Sequence, residues 1–153
     1  MKTLNILLLV LWMLIIFTFS NANSTKSTNT SDKVIDIGIN IVDSIRNEKT
    51  ENKELLIEKL TFTVRKIAHF LEYLILGILM YRVVSDYTNK NVLILSILLC
   101  ILYATTDEIH QIFINGRDGN IKDVLVDSIG IIIGCLIYKK IKENKRVLNK
   151  NCV

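Results

Sequence analysis

The residues of this sequence that could carry chemistry stand in three short clusters. The first cluster holds an arginine, a lysine, a histidine, a glutamate and a tyrosine, and the others are mainly acidic. Imidazole, phenol and carboxyl groups transfer protons, and guanidinium groups bind phosphate or carboxylate through paired hydrogen bonds. The candidate ligand-binding residues are therefore Arg65, Lys66, His69, Glu72, Tyr73, Asp107, Glu108, Gln111, Arg117, Asp123 and Asp127.

Helical spacing places the members of a cluster on one side of a helix. At about 100° per residue, Arg65, His69 and Glu72 fall within an arc of about 60°. Asp123 and Asp127 are separated by four residues, which is one helical turn. Each of these helices is therefore predicted to carry a polar stripe.

Two glycines continue the acidic stripe of the last cluster. Gly130 and Gly134 follow Asp127 at helical spacing, and small residues four apart let a neighbouring backbone approach closely. We therefore expect Asp127 to face the inside of a helical bundle. Glu72 lies about 10 Å deeper than Arg65 along its helix, beyond easy reach of water.

Four apolar blocks must position these clusters. Each is close to the length that crosses about 30 Å of hydrocarbon as a helix. The sequence therefore predicts an all-α membrane protein with about four transmembrane helices and an extracytoplasmic amphipathic helical segment. The blocks are Leu4–Phe19, Ile67–Val84, Asn91–Thr106 and Val124–Tyr138.

Four regions follow along the chain. Residues 1–22 are predicted to be a first transmembrane helix or signal anchor, with cleavage after Ala22 as the alternative. Residues 23–64 are predicted to be an extracytoplasmic linker and amphipathic helices, since apolar residues recur there at helical spacing. Residues 65–140 would form a three-helix membrane core, and 141–153 a basic cytoplasmic tail.

Alternating helix directions bring the three clusters to one face of the membrane. The first cluster begins the second span, the next ends the third span, and the last begins the fourth. Six of the nineteen Lys and Arg residues lie between Lys139 and Lys150, which predicts a cytoplasmic C-terminus and hence a cytoplasmic N-terminus. The predicted location is the cell membrane, with several passes and the clusters on the outer side.

Composition excludes several other classes of function. The excess of positive charge is local to the tail, which indicates anionic lipid rather than nucleic acid. Cys100 and Cys135 lie within apolar blocks, which is typical of packing residues and not of a disulfide framework. His69 and Glu72 with Asp107 or Asp123 would offer metal ligands, but no HExxH helix occurs, and we predict neither metal nor cofactor.

The clusters allow a structural interpretation as well as a functional one. Arg65 and Arg117 could neutralise Asp107, Glu108 or Asp123 and simply hold helix ends together. Two features favour a pocket that binds or transforms a ligand instead. Carboxylates outnumber cations, and His69 and Tyr73 add proton-transfer groups that an ion network does not require.

In these same residues the sequence resembles the VanZ-like family. The resemblance extends over most of the chain to about Tyr138, with Ile114-Asn115 as a minor departure before Gly116-Arg117. The matching stretches are Arg65-Lys66-Ile67-Ala68-His69-Phe70 with Glu72-Tyr73, Thr106-Asp107-Glu108-Ile109-His110-Gln111-Ile112-Phe113, Gly116-Arg117, Asp123-Val124 and Asp127-Ser128-Ile129-Gly130.

The resemblance implies a bacterial cell-envelope protein of the glycopeptide-resistance type, linked to teicoplanin. It implies no defined reaction. The first hypothesis is an outer-face pocket that binds the head group of a membrane lipid, a lipid-linked cell-wall precursor or a lipoglycopeptide. The alternatives are an acid/base enzyme acting on a lipid head group, with His69, Glu72, Asp107 and Glu108 as catalytic candidates, and a scaffold for a partner membrane protein.

Overall fold

Every regular element that the structure describes is an α-helix, as predicted. The computed structural model describes residues 2–21, 33, 35–41, 53–114 and 121–151. Its long helices are α1 (Lys2–Ser20), α2 (Lys53–Tyr87), α3 (Val92–Ile112) and α4 (Ile121–Asn151), and residues 35–41 are also helical. Residues 22–32, 34, 42–52 and 115–120, which include most of the predicted linker after α1, lie outside the described residues.

Three of the long helices are long and apolar enough to cross a membrane. They are α1, the Leu55–Tyr87 part of α2, and α3. This confirms the prediction of an all-α membrane protein. In α4, Asp127 and the charged residues near both ends of the apolar block leave no comparably uncharged stretch of eighteen residues, so a fourth span stays a prediction.

Helix α2 is continuous across the boundary that we predicted between residues 64 and 65. Leu55 and Leu60, which we assigned to a separate amphipathic helix, lie in α2. Neither proline nor glycine occurs between Lys53 and Leu76, so nothing in the sequence interrupts the helix. Its thirty-five residues extend over about 52 Å, which is more than the hydrocarbon thickness. Helix α4 likewise continues through the predicted basic tail to Asn151.

Contacts between α1 and α2 show that these helices are antiparallel. Near one end of the bundle, Asn5 Nδ2 donates a hydrogen bond to the Asp86 carboxylate at 2.5 Å. Further along α1, Trp12 Nε1 donates to the Glu72 carbonyl oxygen at 2.9 Å. Position numbers therefore rise along α1 while they fall along α2.

Helices α2 and α4 run parallel, with the same axial offset at both ends. Lys66 forms an ion pair with Asp123, and nineteen residues further along both helices Lys142 Nζ donates to the Ser85 carbonyl oxygen at 3.2 Å. The start of α4 therefore lies beside the first polar cluster of α2.

Glycines allow the backbones of α2 and α4 to touch. A methyl group on Gly77 would lie 2.5 Å from the carbonyl oxygen of Ile131, and one on Gly130 would lie 2.6 Å from that of Phe70. A methyl group on Gly134 would clash with the α2 backbone in the same way. The expectation that Gly130 and Gly134 mark the packed side of α4 is confirmed.

The surface of the bundle is largely apolar, whereas a water-soluble protein would have a mixture of polar and apolar residues there. Leu7 and Leu11 of α1 and Leu98 and Leu102 of α3 are each more than half exposed. Cys100 and Cys135 are fully buried and free, which agrees with the predicted packing role. Contiguous exposed apolar area of this kind indicates contact with lipid.

Candidate functional site

A buried hydrogen-bond network joins α2 to α3 near one end of the bundle. Tyr73 Oη donates to Asp107 Oδ2 at 3.1 Å, and Gln111 Nε2 donates to the same oxygen at 3.0 Å. Tyr73 is fully buried, and Asp107 and Gln111 are each 5% exposed. Loss of either hydrogen bond would be costly, because a buried carboxylate would then lack one of its partners.

Asp127 lies on the α4 side of this network but takes no part in its hydrogen bonds. Its side chain is fully buried, and neither carboxylate oxygen has a hydrogen-bond partner among the described residues. The acids Glu108, Asp107 and Glu72 are near enough to repel its charge, and Lys66 is near enough to attract it. The site therefore places several carboxyl groups close to that of Asp127, whose two oxygens accept no hydrogen bond from the described residues.

The more accessible edge of the site is formed by two pairs of side chains. The ion pair of Lys66 and Asp123 joins α2 to α4, and each side chain is about one-third exposed. His69 Nδ1 lies 3.9 Å from Glu72 Oε2, which is ion-pair distance and longer than a hydrogen bond. The His69 and Glu72 side chains are 23% and 18% exposed. Proton-transfer groups are therefore near the surface, above the buried acids.

Helix α1 covers one side of the site, which the sequence reasoning missed. The indole N–H of Trp12 donates a hydrogen bond to the Glu72 carbonyl oxygen. Phe17 stacks on His110 with ring centroids 5.0 Å apart, and Tyr103 Oη donates to the Met13 carbonyl oxygen at 2.7 Å. The available signal was the single Trp inside an apolar run, since a buried indole N–H needs an acceptor.

Most of the predicted site residues converge as the alternation of helix direction requires. Their role as ligands stays a prediction, as does the catalytic role of four of them. Arg117 and the side chain of Arg65 lie outside the described part of the chain. The structure brings together Lys66, His69, Glu72, Tyr73, Asp107, Glu108, Gln111, Asp123 and Asp127.

The converging acids do not form a metal-binding arrangement in the described residues. No group of three or more His, Cys, Asp and Glu side chains there is placed to hold a metal ion. Two contacts of the site instead cross between helices, Tyr73 with Asp107 and Lys66 with Asp123. The arrangement can accept hydrogen bonds from donor groups and can exchange protons at its more exposed edge.

Apolar, lipid-facing helices that enclose a buried polar cluster define an integral membrane protein of the all-α class. Comparison with protein-family models gives a match to VanZ/LLP1 over residues 5–143. The chain belongs to the VanZ/LLP1 family, as its polar motifs indicated. No curated protein and no solved structure matches it.

Proposed function

We propose that this protein binds the polar head group of a membrane lipid, a lipid-linked wall precursor or a lipophilic glycopeptide at the outer face of the cell membrane. Through that binding it contributes to resistance to teicoplanin. Membership of the VanZ/LLP1 family supports the envelope location. The polar cluster supplies the binding site, and the apolar surface of the bundle keeps the site next to the lipid tails of such a ligand.

The buried carboxyl group of Asp127 carries this proposal. A buried carboxyl group without hydrogen-bond partners costs the folded protein about 1–3 kcal/mol, and more when it is ionised. Repulsion from Glu108, Asp107 and Glu72 adds to this cost. A head group with hydroxyl or ammonium donors would remove it on binding, and the free energy released would favour the bound state.

Donors on the ligand therefore match the described part of the site better than acceptors do. Arg65 and Arg117 are the predicted partners of an anionic group on the same ligand, such as a phosphate. A ligand that bears both kinds of group would place its donors deep, at Asp127, and its anion near the arginines. Lipid head groups and glycopeptides carry both.

The axial spacing of contacts between α2 and α4 supports the membrane placement of the site. The Lys66–Asp123 pair and the Lys142–Ser85 contact are nineteen residues apart on both helices, or about 28 Å along a helix axis. This is close to the thickness of the hydrocarbon core. This spacing supports a fourth span in α4, with the polar site at one boundary and the basic residues at the other.

The test is the inhibitory concentration of teicoplanin in a sensitive host that expresses the protein. The wild-type chain should raise it, and Asp127→Asn should return it towards that of the host. Asp86→Asn is the matched control, because Asp86 lies at the other end of the bundle against Asn5. Unchanged susceptibility with wild-type protein present in the membrane would remove the resistance proposal, and full resistance of Asp127→Asn would remove this site.

The hydrogen-bonded network supports a second candidate, a scaffold for a partner membrane protein. Tyr73, Asp107 and Gln111 satisfy one another and join two helices without any ligand. If the cluster only holds helices together, Asp127→Asn breaks no hydrogen bond of the described chain and should leave both the amount of protein in the membrane and the resistance unchanged. A binding site predicts normal accumulation with lost resistance, because Asn is isosteric with Asp but differs from it as a hydrogen-bond acceptor.

The pair of His69 and Glu72 supports a third candidate, an acid/base enzyme that acts on a lipid head group. Their 3.9 Å separation and partial exposure suit proton transfer to a ligand at the edge of the site. His69→Ala should then abolish modification of the lipid while the protein still accumulates. Lipid analysis by mass spectrometry of cells with and without the protein would detect such a product, and identical lipid profiles would exclude this candidate.

A further inference from the structure

A polar cavity lies at the end of the bundle opposite the acidic cluster. It has a volume of about 370 Å³ and opens between the end of α2, the loop that follows it and the middle of α4. None of the predicted site residues belongs to it. Its polar lining residues are Tyr81, Ser85, Asn89, Lys139, Lys142 and Glu143.

The charges around this cavity are mainly positive. Lys139 and Lys142 are one helical turn apart on α4 and outnumber the single acid of the lining, Glu143. The Lys142 ammonium is held at the cavity by its hydrogen bond to the Ser85 carbonyl oxygen at 3.2 Å. Lys140 and Lys145, on the same helix but outside the lining, extend the positive field.

The N-terminus of α3 adds backbone donors on the facing side. Val92, the first residue of α3, lines the cavity. Asn91 precedes it in the left-handed conformation (φ 51°) and makes no side-chain cap hydrogen bond within the described chain. The first N–H groups of a helix lack intrahelical partners and carry partial positive charge, so they bind anions. The cavity therefore combines lysine ammonium groups with helix N–H donors.

The position of the cavity indicates the source of the anion. Its Lys142–Ser85 contact lies about one hydrocarbon thickness from the Lys66–Asp123 pair. Above it on α4, towards the acidic end, Ile132, Ile133 and Leu136 are exposed and apolar. A molecule whose phosphate enters the cavity would thus meet an apolar helix surface along its acyl chains.

We propose that this cavity is a binding site for one anionic phospholipid of the adjacent leaflet. The phosphodiester contacts Lys139, Lys142 and the first turn of α3, and the acyl chains lie along α4. Basic pockets between helix ends at a membrane boundary recognise lipid phosphates in this manner. The bound lipid would join α2, α3 and α4 at the end of the bundle opposite the acidic cluster.

Native mass spectrometry of the purified full-length protein tests the proposal. The protein is mixed with phosphatidylglycerol or phosphatidylcholine of identical acyl chains, and the retained lipid is measured. Wild type should retain phosphatidylglycerol in preference to phosphatidylcholine. Lys139→Gln with Lys142→Gln should weaken phosphatidylglycerol retention about tenfold, since each lysine contributes to attraction of anionic lipid.

The matched control is Lys140→Gln with Lys145→Gln, which removes the same charge from the same helix outside the cavity. It should change retention less than about twofold. Equal loss in both double variants would overturn the proposal, because it would show general attraction to the basic helix. Displacement by glycerol 3-phosphate at similar concentration would also overturn it, since a small phosphate ester would then be the ligand.

A single variant controls for loss of structure in the double variant. Lys139→Gln alone leaves the Lys142–Ser85 contact in place and should already reduce retention, with unchanged helical circular dichroism. If Lys139→Gln binds phosphatidylglycerol as wild type does, Lys139 is not a ligand and the proposed site is wrong. Resistance to teicoplanin tests the acidic site alone, so failure of one proposal is distinguishable from failure of the other.

Discussion

The substitution Gly130→Ala should push α2 and α4 apart, because the added methyl group has no space. It would lie 2.6 Å from the carbonyl oxygen of Phe70 and 3.3 Å from the backbone nitrogen of Leu74. Ordinary contact begins at 3.4 Å, so the helices must separate locally by several tenths of an ångström. Backbone atoms of a helix cannot turn aside as a side chain can.

The expected cost follows from two opposing contributions. Overpacking of a close contact costs about 1–3 kcal/mol, and alanine gains up to about 1 kcal/mol over glycine within a helix. The net loss of unfolding free energy should therefore be about 1–2 kcal/mol. Gly38→Ala is the control, since nothing lies within 4 Å of a methyl group there; it should gain about 0.5–1 kcal/mol.

Reversible unfolding in mixed micelles with increasing sodium dodecyl sulfate would measure both variants, followed by helical circular dichroism and by the fluorescence of Trp12. The two alanine variants should differ by about 2 kcal/mol, or about 30-fold in the unfolding equilibrium. Gly134→Ala should be at least as damaging, because its methyl group would meet the Leu74 backbone. If Gly130→Ala were as stable as Gly38→Ala, the close approach of α2 and α4 would be wrong.

Three further predictions concern the contacts that join helices at the site. Tyr73→Phe removes a donor from a buried carboxylate and should lower the unfolding free energy by about 1–3 kcal/mol in the same titration; wild-type stability would contradict the network. A double-mutant cycle of Lys66→Met and Asp123→Leu should give a coupling of about 0.2–1 kcal/mol that shrinks in high salt, because both side chains are about one-third exposed. A coupling energy that does not change with salt concentration would contradict the exposure of this ion pair. Trp12→Phe keeps an aromatic ring but loses the bond between α1 and α2, so stability should fall by about 1 kcal/mol, and an unchanged midpoint would exclude that bond.

The sequence alone determined the class of protein and the convergence of its polar clusters. Apolar blocks long enough to cross a bilayer are local properties of the chain, and their number and order impose alternating directions. Once directions alternate, His69, Asp107 and Asp123 must come to the same end of the bundle. The spacing of Asp127, Gly130 and Gly134 also sufficed to identify the inward face of α4, because helical periodicity is local.

Tertiary structure alone decided which groups pair. Asp123 pairs with Lys66, and Asp107 takes its donors from Tyr73 and Gln111. Which groups pair depends on the rotation and axial offset of each helix against its neighbours. The local pattern of the sequence does not determine either quantity. The glycine contacts fix the position of α4 against α2, and Asp127 is buried among carboxylates with no hydrogen-bond partner among the described residues.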